Sequence, residues 1–170
     1  METMAQARLE EWLTPSEIVN NYTNFAPVDL DALANALGID VISDDFMSDD
    51  VSGRIERTPG EFRDYRITLN GRHHPNRRRF TLAHEIGHFI LHRDMIGDGI
   101  FDDAMYRSSL ADRYERQANR YAAELLMPAS LVRRYIQEHN PAPGQLARHF
   151  QVSKAAAEIR LAEIGVKELF

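Results

Sequence analysis

Apolar residues in this chain recur mainly at helical spacing. Phe80, Ala83, Gly87 and Ile90 mark one stripe, and Tyr114, Ala118, Tyr121, Ala122 and Leu125 mark another. The first predicts a helix through Phe80–His92, with Pro75-Asn76 as its opening turn, Asn76 as N-cap and Gly97 just past its end. The second predicts a helix over Ser109–Met127, opened by Ser109-x-x-Asp112 as a capping pair. Thr14–Asn24 and Asp29–Leu37 read as earlier helices, the latter stopping at Gly38; Ala129–His139, Pro143–Phe150 and Ser153–Ile164 read as later ones, with Ser153 as N-cap of the last. The period changes between these groups. Tyr65, Ile67 and Leu69 alternate with Arg66, Thr68 and Asn70, as a half-buried strand should. Val51–Arg57 and Arg63–Asn70 flank the turn signal Thr58-Pro59-Gly60-Glu61, and a short strand is expected near Asp40–Ile42. These elements predict an α+β fold, mainly helical, with a small antiparallel sheet of about three strands packed on the Phe80–His92 helix.

At 170 residues and 44% apolar content, the chain suffices for one domain with a single core, expected to span residues 1–170. Within it we expect an N-terminal helical extension over 1–26, a core over 27–128 and C-terminal helices over 129–170. No stretch approaches the roughly 20 apolar residues of a membrane span, and Met1–Trp12 carries charges where a secretory segment needs an apolar run. The chain has no cysteine, which excludes disulfides and thiol catalysis. A cytoplasmic setting is expected. The net charge of −6, with Asp-rich patches at Asp40–Asp50 and Asp98–Asp103, argues against attraction to nucleic acid by the field of the whole molecule. Arg72-His73-His74 with Arg77-Arg78-Arg79 is the exception: a solvated face, or a patch that steers an acidic partner toward the helix it precedes.

The chemistry is concentrated in His84-Glu85-Ile86-Gly87-His88. On a helix, residues four apart differ by only about 40° and one turn, so both imidazoles can reach one metal ion. Zinc binds imidazole nitrogen at about 2.0–2.1 Å, and a catalytic site adds a third protein ligand and keeps the fourth position open. Glu85 projects beside the pair, placed to exchange a proton with a water attacking a carbonyl. Manganese or iron also fits a two-nitrogen, one-carboxylate site.

The third ligand must come from another segment, and Ser109–Met127 offers two glutamates. Glu115 shares a face with Asp112, Ala118, Asn119 and Ala122, whereas Glu124 lies nine residues on, about 180° around. The small residues beside Glu115 leave room for a neighbouring helix, which makes Glu115 the expected ligand; Asp112 is the competitor, with a capping role instead. His92 continues the row at i+8, but a third imidazole on one helix would crowd the open position, so it reads as a supporting or helix-end residue. His73, His74, His139 and His149 read as solvated or packed. His92, Tyr114 and Tyr121 are candidates to stabilise an oxyanion. The Val51–Asn70 hairpin could offer an edge on which an extended peptide docks by strand addition, and Met95–Ser108, without periodicity, is either a flap over the site or a plain connector.

The blocks Arg79-Phe80-Thr81-Leu82-Ala83-His84-Glu85-Ile86-Gly87-His88-Phe89-Ile90-Leu91-His92 and Glu115 through Pro128 resemble the ImmA/IrrE family of zinc metallopeptidases. Val51–Ile55, Ile67–Asn70 and Leu146–Leu161 look like its flanking segments, so the likeness runs from about Pro27 to Gly165. The resemblance implies a zincin-like, gluzincin-type endopeptidase with His84, His88 and Glu115 as Zn2+ ligands and Glu85 as catalytic base. It also implies a protein substrate, a helix-turn-helix repressor of a mobile element, stress regulon or toxin–antitoxin operon, which is inactivated by cleavage. Tyr121 stands where the family more often has Phe. Longer members carry a further C-terminal sensory domain, and this sequence ends at Phe170, so regulation is expected from a partner or from expression.

Two other functions compete. Leu146–Ser153 followed by Lys154–Leu161 scans like a helix-turn-helix, the mark of a DNA-binding regulator, but Glu158, Glu163 and Ala155-Ala156-Ala157 make poor groove chemistry and favour a packed helical pair. A non-catalytic, zinc-stabilised binding partner in a toxin–antitoxin or phage regulatory pair would keep the metal and need no scission.

Overall fold

The computed structural model describes residues 13–97 and 109–166. Helices α1 (Pro15–Tyr22) and α2 (Leu30–Ala36) begin where the sequence supplies caps. Thr14 and Glu17 form a reciprocal capping box, and the Asp29 carboxylate accepts from the Ala32 amide at 3.0 Å. Strands β1 (Ile39–Asp44), β2 (Gly53–Arg57) and β3 (Tyr65–Asn70) follow, then α3 (Pro75–Leu91), a 3-10 turn at Arg93–Met95, α4 (Ser109–Leu126), α5 (Ala129–His139), α6 (Pro143–Phe150) and α7 (Lys154–Glu163). The expected flap beyond Gly97, the expected Ser109 cap and the first part of the N-terminal extension lie outside the described residues and side chains.

The fold is α+β, but its sheet is mixed rather than antiparallel. The order is β1-β3-β2, with β2 antiparallel to β3 and β1 parallel to it. The cause is the 45–52 connection. It does not fold back as a hairpin but crosses the end of β3, because Asn70 at that end donates to the carbonyls of Ser48 (3.0 Å) and Val51 (2.9 Å). Strand β1 therefore lies on the far side of β3 and runs with it, in a register that sets Asp40 beside Arg66, whose Nε donates to the carboxylate at 3.1 Å. As the central strand, β3 is buried on both faces toward its end: Thr68 is 2% exposed and Asn70 is fully buried. The expected half-buried strand is thus a covered one.

Helix α3 crosses the sheet and packs most extensively on α4. Its cap is His74 rather than Asn76: the His74 Nδ1 accepts from the Asn76 amide at 3.1 Å, with Pro75 in the first turn. Proline has a fixed helical φ and no amide to satisfy, so the cap falls before it. The core joins Ile39, Ile55, Ile67 and Leu69 of the sheet to Leu82, Ala83, Ile86 and Phe89 of α3 and Ala122, Leu125 and Leu126 of α4. Leu146, Phe150 and Leu161 close it from the C-terminal helices. Two glycines permit the close approaches on which the site depends. A Cβ on Gly87 would meet the Ala118 carbonyl oxygen and Tyr121 at 3.3 Å, and one on Gly53 would meet Thr81 at 2.7 Å. Gly87 lets α3 and α4 press together; Gly53 seats the start of β2 on α3. Among the described residues no helix is long and apolar enough to cross a membrane.

Candidate metal centre

The helical period puts His84 and His88 on one face of α3, and the Gly87–Ala118 contact brings α4 near enough for Glu115 to meet them. His84 Nε2 and His88 Nε2 lie 3.0 Å apart, and each faces an oxygen of Glu115, at 3.2 and 3.1 Å. The ligand atoms of these three residues fall within 4.8 Å of one another, a set able to hold a metal ion. Donor atoms about 2.0–2.1 Å from one tetrahedral ion stand about 3.3 Å apart, close to what is found here. Two imidazole lone pairs this close repel each other unless a cation lies between them, so the donor set fits a divalent metal.

The outer nitrogens of both rings are held from behind. His84 Nδ1 lies 2.8 Å from Asn119 Oδ1; His88 Nδ1 lies 3.0 Å from His92 Nδ1, whose Nε2 lies 2.9 Å from Gln117 Oε1. With the amide oxygens accepting, His84 donates to Asn119, His88 donates to His92 and His92 donates to Gln117. Each ligand ring then carries its proton on Nδ1 and turns the Nε2 lone pair inward. His92 is therefore a supporting residue and also caps the end of α3, its amide bonded to the His88 carbonyl at 2.8 Å. Gln117 and Asn119 were not singled out as functional from sequence. Their offsets of two and four from Glu115 were the available signal, readable only once a metal centre beside α4 is assumed.

Glu85 is 7% exposed on the flank of the pair and takes a backbone hydrogen bond from Ile55 of β2. Burial is the main influence on its pKa and raises it, against the pull of His84 and His88. Glu115 moves the other way: when the facing Nε2 atoms carry protons instead, they donate to its carboxylate from His84 and then His88 and hold its pKa well below the usual range. Burial opposes the His84 imidazolium, but the Glu115 and Glu85 carboxylates and Asn119 outweigh it and the pKa rises. Two carboxylates of one site are thus shifted in opposite directions, Glu85 up and Glu115 down.

These groups open into a cleft of about 380 Å³, walled by Ser52 and by Gly53 and Arg54 of β2 on one side and by Glu115 and Asn119 on the other. Strand β2 is a sheet edge, so the expected edge borders the site. The three residues weighed as oxyanion stabilisers, His92, Tyr114 and Tyr121, line a separate groove instead of this cleft. Asp112 is exposed and outside the cluster, and Glu124 pairs with Arg160 of α7. His73 contacts the Asp49 carbonyl at 3.0 Å, while His139 and His149 stack against Tyr135 at 4.4 and 3.8 Å. The basic run is pinned locally: Arg72 reaches the Met47 carbonyl, Arg77 and Arg78 reach Ser52 and Ser43, and Arg79 reaches the Val28 carbonyl.

Two histidines and a glutamate thus converge on one point, with a buried carboxylate beside them, a set able to hold a metal ion. Residues 34–162 match the IrrE N-terminal-like domain of the peptidase M78 class, and the chain belongs to that family. It is 36% identical to the radiation response metalloprotease IrrE of Deinococcus radiodurans, over 57% of this chain and 30% of that protein. To the protein of the same name from Deinococcus deserti it is 39% identical, over 57% of this chain and 36% of that one. The match thus spans about a third of the length of these relatives. A solved Mycobacterium tuberculosis transcriptional regulator shares the fold with a TM-score of 0.63 at 17% identity, across 96% of this chain and 51% of that one.

Proposed function

We propose that this chain is a zinc-dependent endopeptidase with a zincin-like, gluzincin-type site, which cleaves and so inactivates a regulatory protein of the helix-turn-helix repressor or antitoxin kind. The observation that carries this reading is the convergence of His84, His88 and Glu115 within 3.2 Å of one another beside buried Glu85, at the floor of an open cleft. The metalloprotease names of the two Deinococcus relatives support the reaction class. Zinc held by these three side chains would activate water near neutral pH and polarise the scissile carbonyl.

The remaining work falls to the chain's own groups. Glu85 takes the proton of the attacking water and passes it to the leaving amine nitrogen; its raised pKa suits a group that must both accept and return a proton. Asn119 and the His92–Gln117 relay keep the two ligand imidazoles in one orientation. The edge of β2 beside the cleft suits an extended substrate backbone. The setting proposed is cytoplasmic, with no direct contact to nucleic acid and one catalytic domain over 1–170.

The test uses zinc-loaded protein and a panel of purified helix-turn-helix repressors and antitoxins from the same genome, with products read by mass spectrometry. We expect cleavage that chelator abolishes. Glu85→Gln should keep stoichiometric zinc by elemental analysis and lose about 10²–10⁴-fold in rate. An unchanged rate in Glu85→Gln refutes the assigned role, and binding without cleavage by the wild-type protein favours the non-catalytic partner.

A further inference from the structure

A second depression adjoins the metal cleft and plays no part in holding the metal. It is a trough of about 740 Å³ between α4 and α7 that shares Phe80 and Asn119 with the cleft. Its apolar surface comes from Phe80, Ala123, Ala156 and Ile159, and Arg116 and Arg120 stand along it. Ile159 is 62% exposed there, although apolar neighbours flank it and α7 buries Ala157 and Leu161 completely. Both arginines are solvent-exposed. Among the described residues, Arg66, Arg72 and Arg160 each pair with carboxylates, whereas Arg116 and Arg120 have no such partner; nor does Arg54, on the opposite wall of the cleft. The acidic groups nearest the trough, Glu124 and Glu163, both pair with Arg160; that trio keeps one negative charge, which leaves Arg116 and Arg120 in excess.

We propose that this trough is a specificity subsite that receives an acidic segment of the protein substrate bearing a large aliphatic side chain. The aliphatic group covers Phe80 and Ile159, and flanking carboxylates meet Arg116 and Arg120. Continuity through Phe80 and Asn119 places that segment on the same chain as the peptide in the cleft, with Arg54 meeting acidic residues on the far side of the scissile bond. In a molecule of net charge −6, an acidic ligand is repelled at long range, so its binding depends on local groupings of arginine such as this one. The site therefore discriminates by position, not by bulk charge.

The inference rests on the reading that the cleft acts on a protein chain, so its test is a binding measurement that does not need scission. Zinc-loaded Glu85→Gln protein is titrated into three fluorescein-labelled peptides: one alternating Glu and Leu, one with Lys for each Glu, and one with Ser for each Leu. Fluorescence anisotropy should show the Glu/Leu peptide binding at least about tenfold more tightly than either control, with affinity falling as salt rises. Arg116→Glu with Arg120→Glu should weaken it by about tenfold, and Ile159→Ser by several-fold. Arg134→Glu, on remote α5, should leave it unchanged. Equal binding of the Glu and Lys peptides, or indifference to Arg116→Glu with Arg120→Glu in a variant that keeps its zinc, overturns the subsite. Failure of the wild-type enzyme to cut any peptide of a proteome-derived library while the Glu/Leu peptide still binds would overturn only the peptidase reading.

Discussion

Helices α3 and α4 and helices α6 and α7 are both packed pairs whose sequences look like functional motifs, and they use their polar residues in opposite ways. In the first pair, His84, His88 and Glu115 turn toward one another within 3.2 Å, and Glu85, His88 and His92 are all buried. Burying this many polar groups is unfavourable unless each is satisfied, and here each has a polar partner. In the second pair the convergent residues are Leu146, Ala147, Phe150, Val152, Ala157 and Leu161. Lys154 faces out to Glu158 at 3.6 Å, and Arg160, which a DNA-reading helix would expose, is buried at 5% and bound to the Met127 carbonyl at 3.1 Å, to Glu124 and to Glu163. A motif-like spacing therefore marks a site only where the polar side chains share one inward face. Where the same spacing turns its apolar residues inward, it makes a structural buttress.

The sharpest break in this comparison is Glu115→Ala. It should remove stoichiometric metal and with it the stabilisation the metal gives the folded state, so that zinc no longer raises Tm; a variant still holding one tightly bound ion would dissolve the distinction between the pairs. Phe150→Ala attacks the buttress. A fully buried phenylalanine truncated to alanine should cost about 3–5 kcal/mol in denaturant unfolding, while zinc affinity of the folded protein stays within a few-fold. If zinc affinity collapsed in parallel, the two pairs would be one unit. Gln117→Ala and Asn119→Ala should each weaken zinc by about 10–100-fold in competition with a chromogenic chelator, with little change in unfolding free energy of the metal-free protein. Acidification should act at the same place: the ligand imidazoles bind metal only when neutral and the His84 pKa is raised, so metal retention should fall as pH drops through the histidine range. The smallest effect belongs to the outer face of α7, where Lys154→Ala should change stability by no more than about 0.5 kcal/mol and leave zinc binding untouched.

The metal helix could be read from sequence because its information is local: a period of 3.6 residues fixes the angle between His84 and His88 whatever surrounds them. The capped starts at Thr14, Asp29 and Ser153 are legible for the same reason, each being a contact between residues three apart. Glu115 needed one further step, since Glu124 has the same chemistry; the small residues beside Glu115 mark the face that can approach another helix, and Gly87 meets that face. The cap of α3 was misplaced by two residues because Asn76 is a good capping residue in isolation, and Pro75 moved the boundary ahead of it.

The sequence by itself determined which residues could bind a metal, because ligand spacing on a helix and the choice between two faces of α4 depend on geometry within single elements. The tertiary structure alone decided the rest. The parallel pairing of β1 follows from a loop that Asn70 ties across the sheet end, and Asn119, His92 and Gln117 act on the imidazoles only because α3 and α4 lie in contact. The trough lined by Arg116 and Arg120 exists only where α4 meets α7. Contacts between residues 20–40 positions apart depend on how whole elements dock, and the period of one helix carries no record of the neighbour that covers it.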